Sequence, residues 1–392
     1  MDARIKVEAV KVAELGEAER ALWSALRAAH SHLASPYFDL RYVEIAERVA
    51  PRSGVAVIRR GERLVGFLPF QRRGGALQPL GAPMSDFHGL IADPAEDIDL
   101  GQVVDALGGR RLRVSGLVGA PARPGLNIRP AMIADLSEGF EAYQAGRAAA
   151  FLKDKRRRLR ALERDHGAVR FDFDRPSPAL LAQVIREKRA QIRRTHQHDI
   201  FACGWTERLL HELDAVTDKD FGLRLAVLRA GEVVVAAELG LAGGDRHHLW
   251  FPIYDPAYAR YSPGALMTLE TLRVCAERGI ARVDFGPGEE AYKADFADPA
   301  EPTLEGLITP HAALVARAAD LPGGRRIAAA GTRLSRRFDR IAACEPGMAG
   351  QIRGASSLVA DLTVRHRRLG AKVGAGLGLG LSLGLGLAIL AD

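Results

Sequence analysis

Residues 221–254 read FGLRLAVLRAGEVVVAAELGLAGGDRHHLWFPIY, and this stretch decides the fold. It contains three apolar runs, Leu223–Leu228, Val233–Leu241 and His248–Ile253, separated by the turns Ala230-Gly231-Glu232 and Gly243-Gly244-Asp245. Runs of this length, rich in branched residues and bounded by glycine turns, predict an antiparallel meander of three strands.

A turn and a helix follow the meander. The turn is Tyr261-Ser262-Pro263-Gly264-Ala265, and the apolar residues after it recur at near-helical spacing: Leu266, Leu269, Leu272 and Val274. Ser262 suits the N-cap, Pro263 suits the first helical position, and Gly264 lets the backbone approach a ligand closely. Unpaired N–H groups at such a helix start favour anions, so we predict that Tyr261 to Ala265 bind a phosphate or pyrophosphate.

The segment after the helix completes the pattern. Ala281–Phe285 is predicted to be a short strand, and Gly286-Pro287-Gly288 and then Tyr292-Lys293 follow it. This order of strands, anion-binding turn, helix and strand resembles the acyl-CoA-binding half of the GNAT acyltransferase fold. Tyr-Ser-Pro-Gly before the helix and Asp-Phe-Gly-x-Gly-x-x-x-Tyr-Lys after it resemble the CelD-type or BioF2-like acetyltransferases of cellulose and exopolysaccharide synthesis, distant relatives of Fem-type aminoacyl transferases.

The resemblance covers roughly Leu33 to Thr309, including an Asp-Phe-His-Gly segment at 86–89. It implies an α/β fold of two tandem GNAT-like halves, with mixed, largely antiparallel sheets flanked by helices. It also implies acetyl-CoA, or another acyl-CoA, as co-substrate and a sugar or glycan precursor as acceptor. We expect an acceptor-side half at 1–148, an acyl-CoA half at 149–309, a basic helical extension at 310–372 and a Gly/Leu-rich tail at 373–392.

An internal repeat supports two related halves. A shift of 170 positions aligns Val57-Ile58-Arg59 with Val227-Leu228-Arg229, and Gly61-Glu62 with Gly231-Glu232. Both segments lie at the turn of a predicted hairpin, although such turns are common. The repeat fails after Asp93-Pro94, where an acidic stretch at 95–99 replaces Ser-Pro-Gly. Carboxylates there would repel a pyrophosphate, so only the second half should hold the donor.

Acyl transfer needs a base for the attacking group and a proton donor for the leaving thiolate. Glu238, in an otherwise apolar strand, is the first choice for the base because burial raises the pKa of a carboxyl. An equally good alternative is a Glu paired with an Arg on a neighbouring strand. Asp284 is the second candidate, with capping of the following loop as its alternative.

Three further segments supply candidates for the site. Tyr292 and Lys293 match the Tyr-Lys of the resemblance, with roles in protonating the thiolate and binding an anionic group; a surface lysine is the alternative. Asp86 and His88, from the first half, are expected to face the acceptor, although a structural role suits the histidine at least as well. A basic helix near 151–166 is either solvated or a positive wall for the CoA phosphates.

Charge and cysteine content limit other functions. The net charge is +7, but 12 basic and 4 acidic residues lie between 310 and 372, so the remainder carries about −1. Aromatic residues do not interleave the basic runs, which argues against nucleic acid. Cys203, Cys275 and Cys344 are isolated and odd in number, so we expect no disulfide framework. His196 and His198 have no third ligand nearby in sequence, so no metal site is expected.

The two ends of the chain bear on localisation. The first residues lack the apolar segment of a signal peptide, which indicates a cytoplasmic protein. Val373–Ala391 is uncharged and long enough to span a bilayer, but its glycines oppose a stable helix. It is either a weak membrane anchor or a flexible apolar tail. The sequence therefore predicts an acyl-CoA-dependent N- or O-acyltransferase, with a Fem-like aminoacyl transferase and a non-catalytic scaffold of a polysaccharide complex as alternatives.

Overall fold

The computed structural model describes residues 5–123, 125–195, 197–288, 290–310, 341, 343–345, 350 and 352. The expected helical extension and apolar tail therefore lie almost wholly outside the described residues. Within the described ranges, every helix is too short or too polar to cross a membrane.

The described part of the chain contains eight α-helices of defined bounds, six short 3-10 helices and fourteen strands. The helices are α1 (Glu17–Ala29), α2 (Leu40–Val49), α3 (Leu100–Ala106), α4 (Phe140–Ala145), α5 (Ala149–His166), α6 (Pro178–Arg194), α7 (Trp205–Asp214) and α8 (Pro263–Glu277). The strands are β1 (Ile5–Val10), β2 (Ser53–Arg60), β3 (Arg63–Arg73), β4 (Ala76–Pro79), β5 (His88–Gly89), β6 (Ile91–Ala92), β7 (Arg111–Val118), β8 (Leu126–Asp135), β9 (Val169–Asp174), β10 (Phe221–Ala230), β11 (Val233–Gly243), β12 (Arg246–Tyr254), β13 (Arg282–Pro287) and β14 (Asp298–Ile308).

The strands form one mixed sheet in the order β1-β2-β3-β4-β7-β14-β8-β13-β12-β11-β10-β9, with β5 beside β7 and β6 beside β3. Neighbours are antiparallel except for the pairs β4–β7, β5–β7 and β12–β13. The predicted α/β class with a largely antiparallel sheet and flanking helices is confirmed. β14 lies between β7 and β8, which both belong to the first half of the chain. Its residues 298–308 therefore complete the sheet of the first half.

The repeat seen in the sequence recurs in the strand register. The hairpin β2–β3 has a bulge between Ile58 and Arg59, and the hairpin β10–β11 has one between Leu228 and Arg229. The two bulges are separated by the same 170 positions that align the sequences. A bulge inserts an extra residue and bends its strand. Its recurrence at the matched position is therefore better explained by related hairpins than by a shared turn sequence.

Three apolar cores hold the sheet and its helices. The largest joins both hairpins through α1, α2 and α7, and includes the fully buried side chains of Trp23, Phe67 and Phe221. A second core packs α8 against β10, β11 and β13, and a third packs α3 against β2, β3 and β7. Burying each Leu or Phe side chain contributes about 1.5–3 kcal/mol, so the shared core stabilises the two hairpins against each other.

Helix α2 begins at Leu40, because the Asp39 carboxylate caps it by accepting from the Arg41 N–H. One sequence prediction needs correction here. The cysteines are not all isolated: Cys203 and Cys344 form a disulfide with their Cα atoms 6.0 Å apart, across 141 residues of sequence. Sequence spacing gave no indication of this contact, whereas Cys275, on α8, is free and buried in the second core.

Candidate active site

A cavity with a volume of about 770 Å³ lies where β12 and β13 separate. The two strands pair in parallel over only three positions, Arg246–His248 with Arg282–Asp284. Beyond them, Leu249–Pro252 on one side and Phe285–Pro287 on the other line the cavity walls. A separation between parallel neighbours frees backbone N–H and C=O groups that a ligand can bind.

The start of α8 forms one wall of this cavity. Ser262, Pro263, Gly264 and Ala265 all line it. A Cβ placed on Gly264 would meet no atom within 4 Å, so the backbone there faces open space. Volume and shape both lie in the range of small-ligand sites, and the uncapped helix start suits an anionic group.

Ser262 does not cap the helix in the way the sequence predicts. Its backbone is left-handed, with φ 53°, and its side chain makes no capping hydrogen bond. Its carbonyl still accepts from the Leu266 N–H at 3.1 Å. The side chain of Tyr261 points away from the cavity, where its hydroxyl donates to Asp165 at 2.8 Å and so fixes the turn against α5. The anion-binding candidates are therefore backbone groups of 262–265, while Tyr261 supports the turn.

The corresponding helix of the first half is closed to a ligand. The Asp99 carboxylate caps α3 by accepting from the Gly101 N–H at 2.9 Å. A Cβ on Gly101 would lie 3.2 Å from the Thr309 carbonyl oxygen. A capping carboxylate occupies the position that a phosphate would need, and repels its charge. This geometry supports the expectation of a single donor site in the second half.

Glu238 on β11 lines the cavity and is 5% exposed. The charged groups that act on Glu238 are Lys188 and His248, so the alternative of a partner arginine on a neighbouring strand does not hold in the described part of the chain. Burial raises the pKa of Glu238 to about 7, although Lys188 and His248 act in the opposite direction. A carboxyl with this pKa exchanges protons readily near neutral pH, which is the property of a general base.

Asp284 lies at the point where β13 separates from β12. Its side chain is buried and accepts from the Gly286 N–H at 2.7 Å, which is the loop-capping contact considered as its alternative role. It also faces His248 on β12, with 3.7 Å between Asp284 Oδ1 and His248 Nδ1. Asp284 is not among the residues that line the cavity, and its polar contacts are with His248 and the Gly286 loop.

Asp86 and His88 have different surroundings. The Asp86 side chain is 43% exposed, lines the cavity and lies 2.9 Å from His248 Nε2. His88 is buried outside the cavity beside Tyr37 and Tyr42, and its Nε2 accepts from the Ser115 N–H at 3.3 Å. Burial lowers the pKa of His88 to about 3, so its ring is neutral. These contacts favour the structural role for His88.

Tyr292 and Lys293 both line the cavity. Tyr292 is 53% exposed, and partial burial together with Glu238 and Glu290 raises its pKa to about 12. A phenol of that pKa remains protonated and can donate a hydrogen bond. Lys293 is 6% exposed and lies 2.9 Å from Glu290, so the alternative of a solvated surface lysine does not apply.

The sequence did not single out several cavity residues. It also missed His248, which is fully buried and is not part of the cavity lining, but contacts the predicted site residues Asp86 and Asp284. Only its place as a second histidine in an apolar strand hinted at a role. Arg129 on β8 and the aromatic ring of Trp250 also line the cavity, as do Phe151 and Lys155 of the basic helix α5. Lys155 Nζ lies 5.1 Å from the centre of the Phe151 ring, which holds its charge at the cavity wall.

One group of metal-ligand types is brought together by the fold. Ligand atoms of His198, Cys344 and Glu345 lie within 4.8 Å of one another. Residues 344 and 345 are distant from His198 along the chain, so the spacing of residues in the sequence could not indicate this proximity. The sulfur of Cys344 is engaged by Cys203 in the disulfide, so it is not available as a thiolate ligand.

Comparison with known proteins identifies the domain. Residues 149–294 match the family model described as "Acetyltransferase (GNAT) domain". The matched residues form the segment that carries α8 and both sides of the cavity, so this part of the chain is an acetyltransferase domain and the protein is an acyltransferase. Families with this domain use acyl-CoA as a co-substrate, which the cavity beside α8 has room to hold. None of the curated proteins matches the sequence.

Several solved structures are similar at low identity. A C-terminal DUF2156 domain from Agrobacterium fabrum aligns with 78% of this chain and 96% of its own, at 15% identity and a TM-score of 0.48. A tandem GNAT protein from the clavulanic acid biosynthesis pathway aligns with 78% of this chain and 99% of its own, at 14% identity and a TM-score of 0.46. FemX aligns with 69% of this chain and 89% of its own, at 10% identity and a TM-score of 0.43. Similarities this distant carry no information on the substrate.

Proposed function

We propose that the protein transfers an acyl group, with acetyl as the first to test, from acyl-CoA to the amine or hydroxyl of a sugar or polysaccharide precursor. One observation carries the proposal: a cavity of about 770 Å³ lies between the separated strands β12 and β13, with the open start of α8 and the buried carboxyl of Glu238 on its walls. The glycan acceptor rests on the CelD-type sequence motifs alone.

The donor is expected to bind along the walls that carry positive charge. The backbone N–H groups at Gly264 and Ala265 face the pyrophosphate, and Lys155 adds a cation beside them. The acyl arm then runs between β12 and β13, where unpaired backbone groups can hydrogen-bond to it. A backbone N–H of either strand would stabilise the developing oxyanion of the thioester carbonyl.

Glu238 is the proposed general base. The acceptor N–H or O–H attacks the thioester carbon, the new C–N or C–O bond forms, and the C–S bond breaks. The proton of the acceptor passes to the Glu238 carboxylate, whose raised pKa of about 7 suits it to take the proton and release it again. Lys188, whose ammonium donates to the Pro252 carbonyl at 3.1 Å, stabilises the ionised form of the carboxyl.

Tyr292 is proposed to assist the leaving thiolate. Its pKa of about 12 lies above that of a free thiol, roughly 8.5, so complete proton transfer to sulfur would be uphill. The phenol therefore stabilises the thiolate by hydrogen bonding, and solvent supplies the proton. This refines the role expected from the sequence, in which Tyr292 gives up its proton.

The acceptor is proposed to enter from the side of the first half. Asp86 and Arg129 line that end of the cavity, and Lys293 lies at its edge beside Glu290. A second cavity of about 190 Å³ adjoins this end and shares Asp86 and Arg129 with it. Charged and hydrogen-bonding groups of both signs suit a polyhydroxylated molecule better than an apolar one.

The donor is the property to test first. Full-length protein is titrated calorimetrically with acetyl-CoA and, separately, with a charged aminoacyl-tRNA, and transfer of a radiolabelled acetyl group to a panel of amino sugars and sugars is measured. We expect binding of acetyl-CoA at one site per chain and transfer that depends on Glu238. Binding of aminoacyl-tRNA instead would favour the Fem-like alternative, and binding of neither would favour a non-catalytic scaffold.

A further inference from the structure

A buried histidine joins the two halves of the chain at the cavity. His248 on β12 is fully buried, and its Nε2 lies 2.9 Å from Oδ2 of Asp86, which belongs to the loop before β5. Its Nδ1 lies 3.7 Å from Oδ1 of Asp284 on β13. Asp86 and His248 are separated by 162 residues of sequence. One imidazole therefore lies between two carboxylates that come from different parts of the fold.

The surroundings fix both the ring and the loop that carries Asp86. The rings of Tyr37 and Phe87 contact His248 edge-on, with centroids 5.1 Å and 5.8 Å away. A Cβ on Gly286 would lie 3.2 Å from Asp86 Oδ2 and 3.5 Å from His248 Cε1, so the loop after β13 leaves little room for either group to move. His248 contacts one side of the Asp86 carboxylate, and another side of it is exposed to the cavity.

The electrostatics agree with this geometry. Burial alone would lower the pKa of His248, but Asp284 and Asp86 more than offset it and raise the pKa to about 9. The other titratable groups that face the ring are Tyr37, whose pKa is raised by burial, and, further away, His247 and Glu238. The ring is therefore an imidazolium at neutral pH, and its contact with Asp86 is a charge-assisted hydrogen bond.

We propose that His248 is a positioning residue, which holds the Asp86 carboxylate at the cavity wall as the hydrogen-bond acceptor for a hydroxyl or amino group of the incoming acceptor. The proposal rests on the proposed function, since it assigns the acceptor subsite of that reaction. It selects acceptors with a second polar hydrogen next to the nucleophile, as in vicinal diols and amino alcohols of sugars. Asp284 keeps the imidazole ring in place from the other side.

The neighbouring histidine provides a matched control. His247 is equally buried on the same strand, but its side chain packs edge-on against Phe173 at 5.1 Å, whereas that of His248 contacts Asp86. Burial lowers its pKa to about 3, so it is neutral. A His247→Gln change has the same chemistry as His248→Gln one residue away, and should leave the acceptor subsite unchanged.

The experiment measures steady-state transfer from acetyl-CoA to D-glucosamine and D-glucose in the wild type, His248→Gln, His248→Leu, Asp86→Asn and His247→Gln. Gln keeps a neutral donor near the position of Nε2, whereas Leu keeps none. We expect KM for the sugar to rise about tenfold in His248→Gln and further in His248→Leu, with KM for acetyl-CoA within twofold. Asp86→Asn should resemble His248→Leu, and His247→Gln should match the wild type.

Unchanged sugar KM in His248→Gln and His248→Leu, in folded protein, would overturn the inference while leaving the acyltransferase proposal in place. A second measurement does not depend on turnover: the ionisation of the His248 ring, read from its 15N chemical shifts against pH. A ring protonated at both nitrogens at pH 7.5, with a lower pKa in Asp86→Asn, supports the inference even if neither sugar is a substrate. A neutral ring at pH 7.5 would contradict it.

Discussion

His248 and Asp284 form the last rung of the parallel ladder between β12 and β13, and the two strands separate immediately beyond them. The cavity begins at this rung, so the two charged side chains mark its inner end. The sheet thus provides both the gap for the donor and the buried charges beside it. The predictions below test the parts of this arrangement separately.

Glu238→Gln should abolish most of the transfer activity. Removing a general base typically costs about 10²–10⁴-fold in rate. Acetyl-CoA affinity should stay within about twofold, because the amide fits the same space. In the wild type, kcat/KM should rise with pH through about 7, where the Glu238 carboxyl ionises. Activity of the variant close to that of the wild type across this range would remove Glu238 from the mechanism.

The same substitution should stabilise the fold at alkaline pH. The pKa of Glu238 is raised from 4.5 to about 7, so the folded state favours its protonated form. That contribution is fully present below pH 4.5 and is lost as pH rises through 7, with a magnitude on the order of 3 kcal/mol. Urea unfolding should therefore show Glu238→Gln gaining stability over the wild type between pH 5 and pH 8. If the free energies of unfolding of the variant and the wild type differed equally at pH 5 and at pH 8, the carboxyl would not be buried.

Asp86 and His88 should separate into two roles. Asp86→Ala should lower turnover with acetyl-CoA affinity within about twofold, because the side chain faces the acceptor end of the cavity. His88→Ala should leave the Michaelis constants unchanged and lower the free energy of unfolding by about 1–3 kcal/mol, since it removes a buried hydrogen-bond acceptor. Kinetics and denaturant unfolding of both variants check this. A large loss of acetyl-CoA binding in Asp86→Ala would show that the donor binds to the first half and not, as proposed, to the second.

The role of the C-terminal tail can be tested by deletion. Residues 373–392 lie outside the described residues, and the sequence leaves open an anchor or a flexible tail. If the tail anchors the protein, its removal should move the protein from the membrane pellet to the supernatant with acetyl-CoA affinity unchanged. Full-length protein found entirely in the supernatant would rule out the anchor and leave the enzyme activity unaffected.

Local patterns in the sequence predicted much of the fold. The three strands around Glu238, the helix after Pro263 and the repeated hairpins follow from apolar periodicity and glycine turns, which act over a few residues. The buried state of Glu238 followed from a single carboxylate in an apolar strand. The acidic start of the first-half helix predicted that it differs from α8, and Asp99 there caps α3.

Features that depend on long-range packing escaped the sequence. His248 meets Asp86 across 162 residues, and Cys203 meets Cys344 across 141, so no local pattern marked either pair. Ser262 has the composition of an N-cap, but its left-handed backbone, with φ 53°, takes the hydroxyl out of capping geometry. In that case the fixed turn between Tyr261 and Pro263 overrides the intrinsic preference of the serine.

The central claim is that the start of α8 binds the donor, and Gly264 tests it most directly. Calorimetric titration of the full-length protein with acetyl-CoA should give one site per chain. Gly264→Ala should weaken binding, and Gly264→Val should weaken it further, because a Cβ there projects into space that the donor pyrophosphate would fill. Melting temperatures should change little for the Ala variant, which adds no clash within the protein.

Gly146, an exposed residue with an ordinary backbone at the end of α4, provides the control, since Gly146→Val adds the same bulk away from the cavity. The account predicts wild-type acetyl-CoA affinity for Gly146→Val and at least a tenfold loss for Gly264→Val with the fold intact. Equal acetyl-CoA affinity in Gly264→Val and in the wild type would contradict it, and would reduce α8 to an ordinary helix of the core.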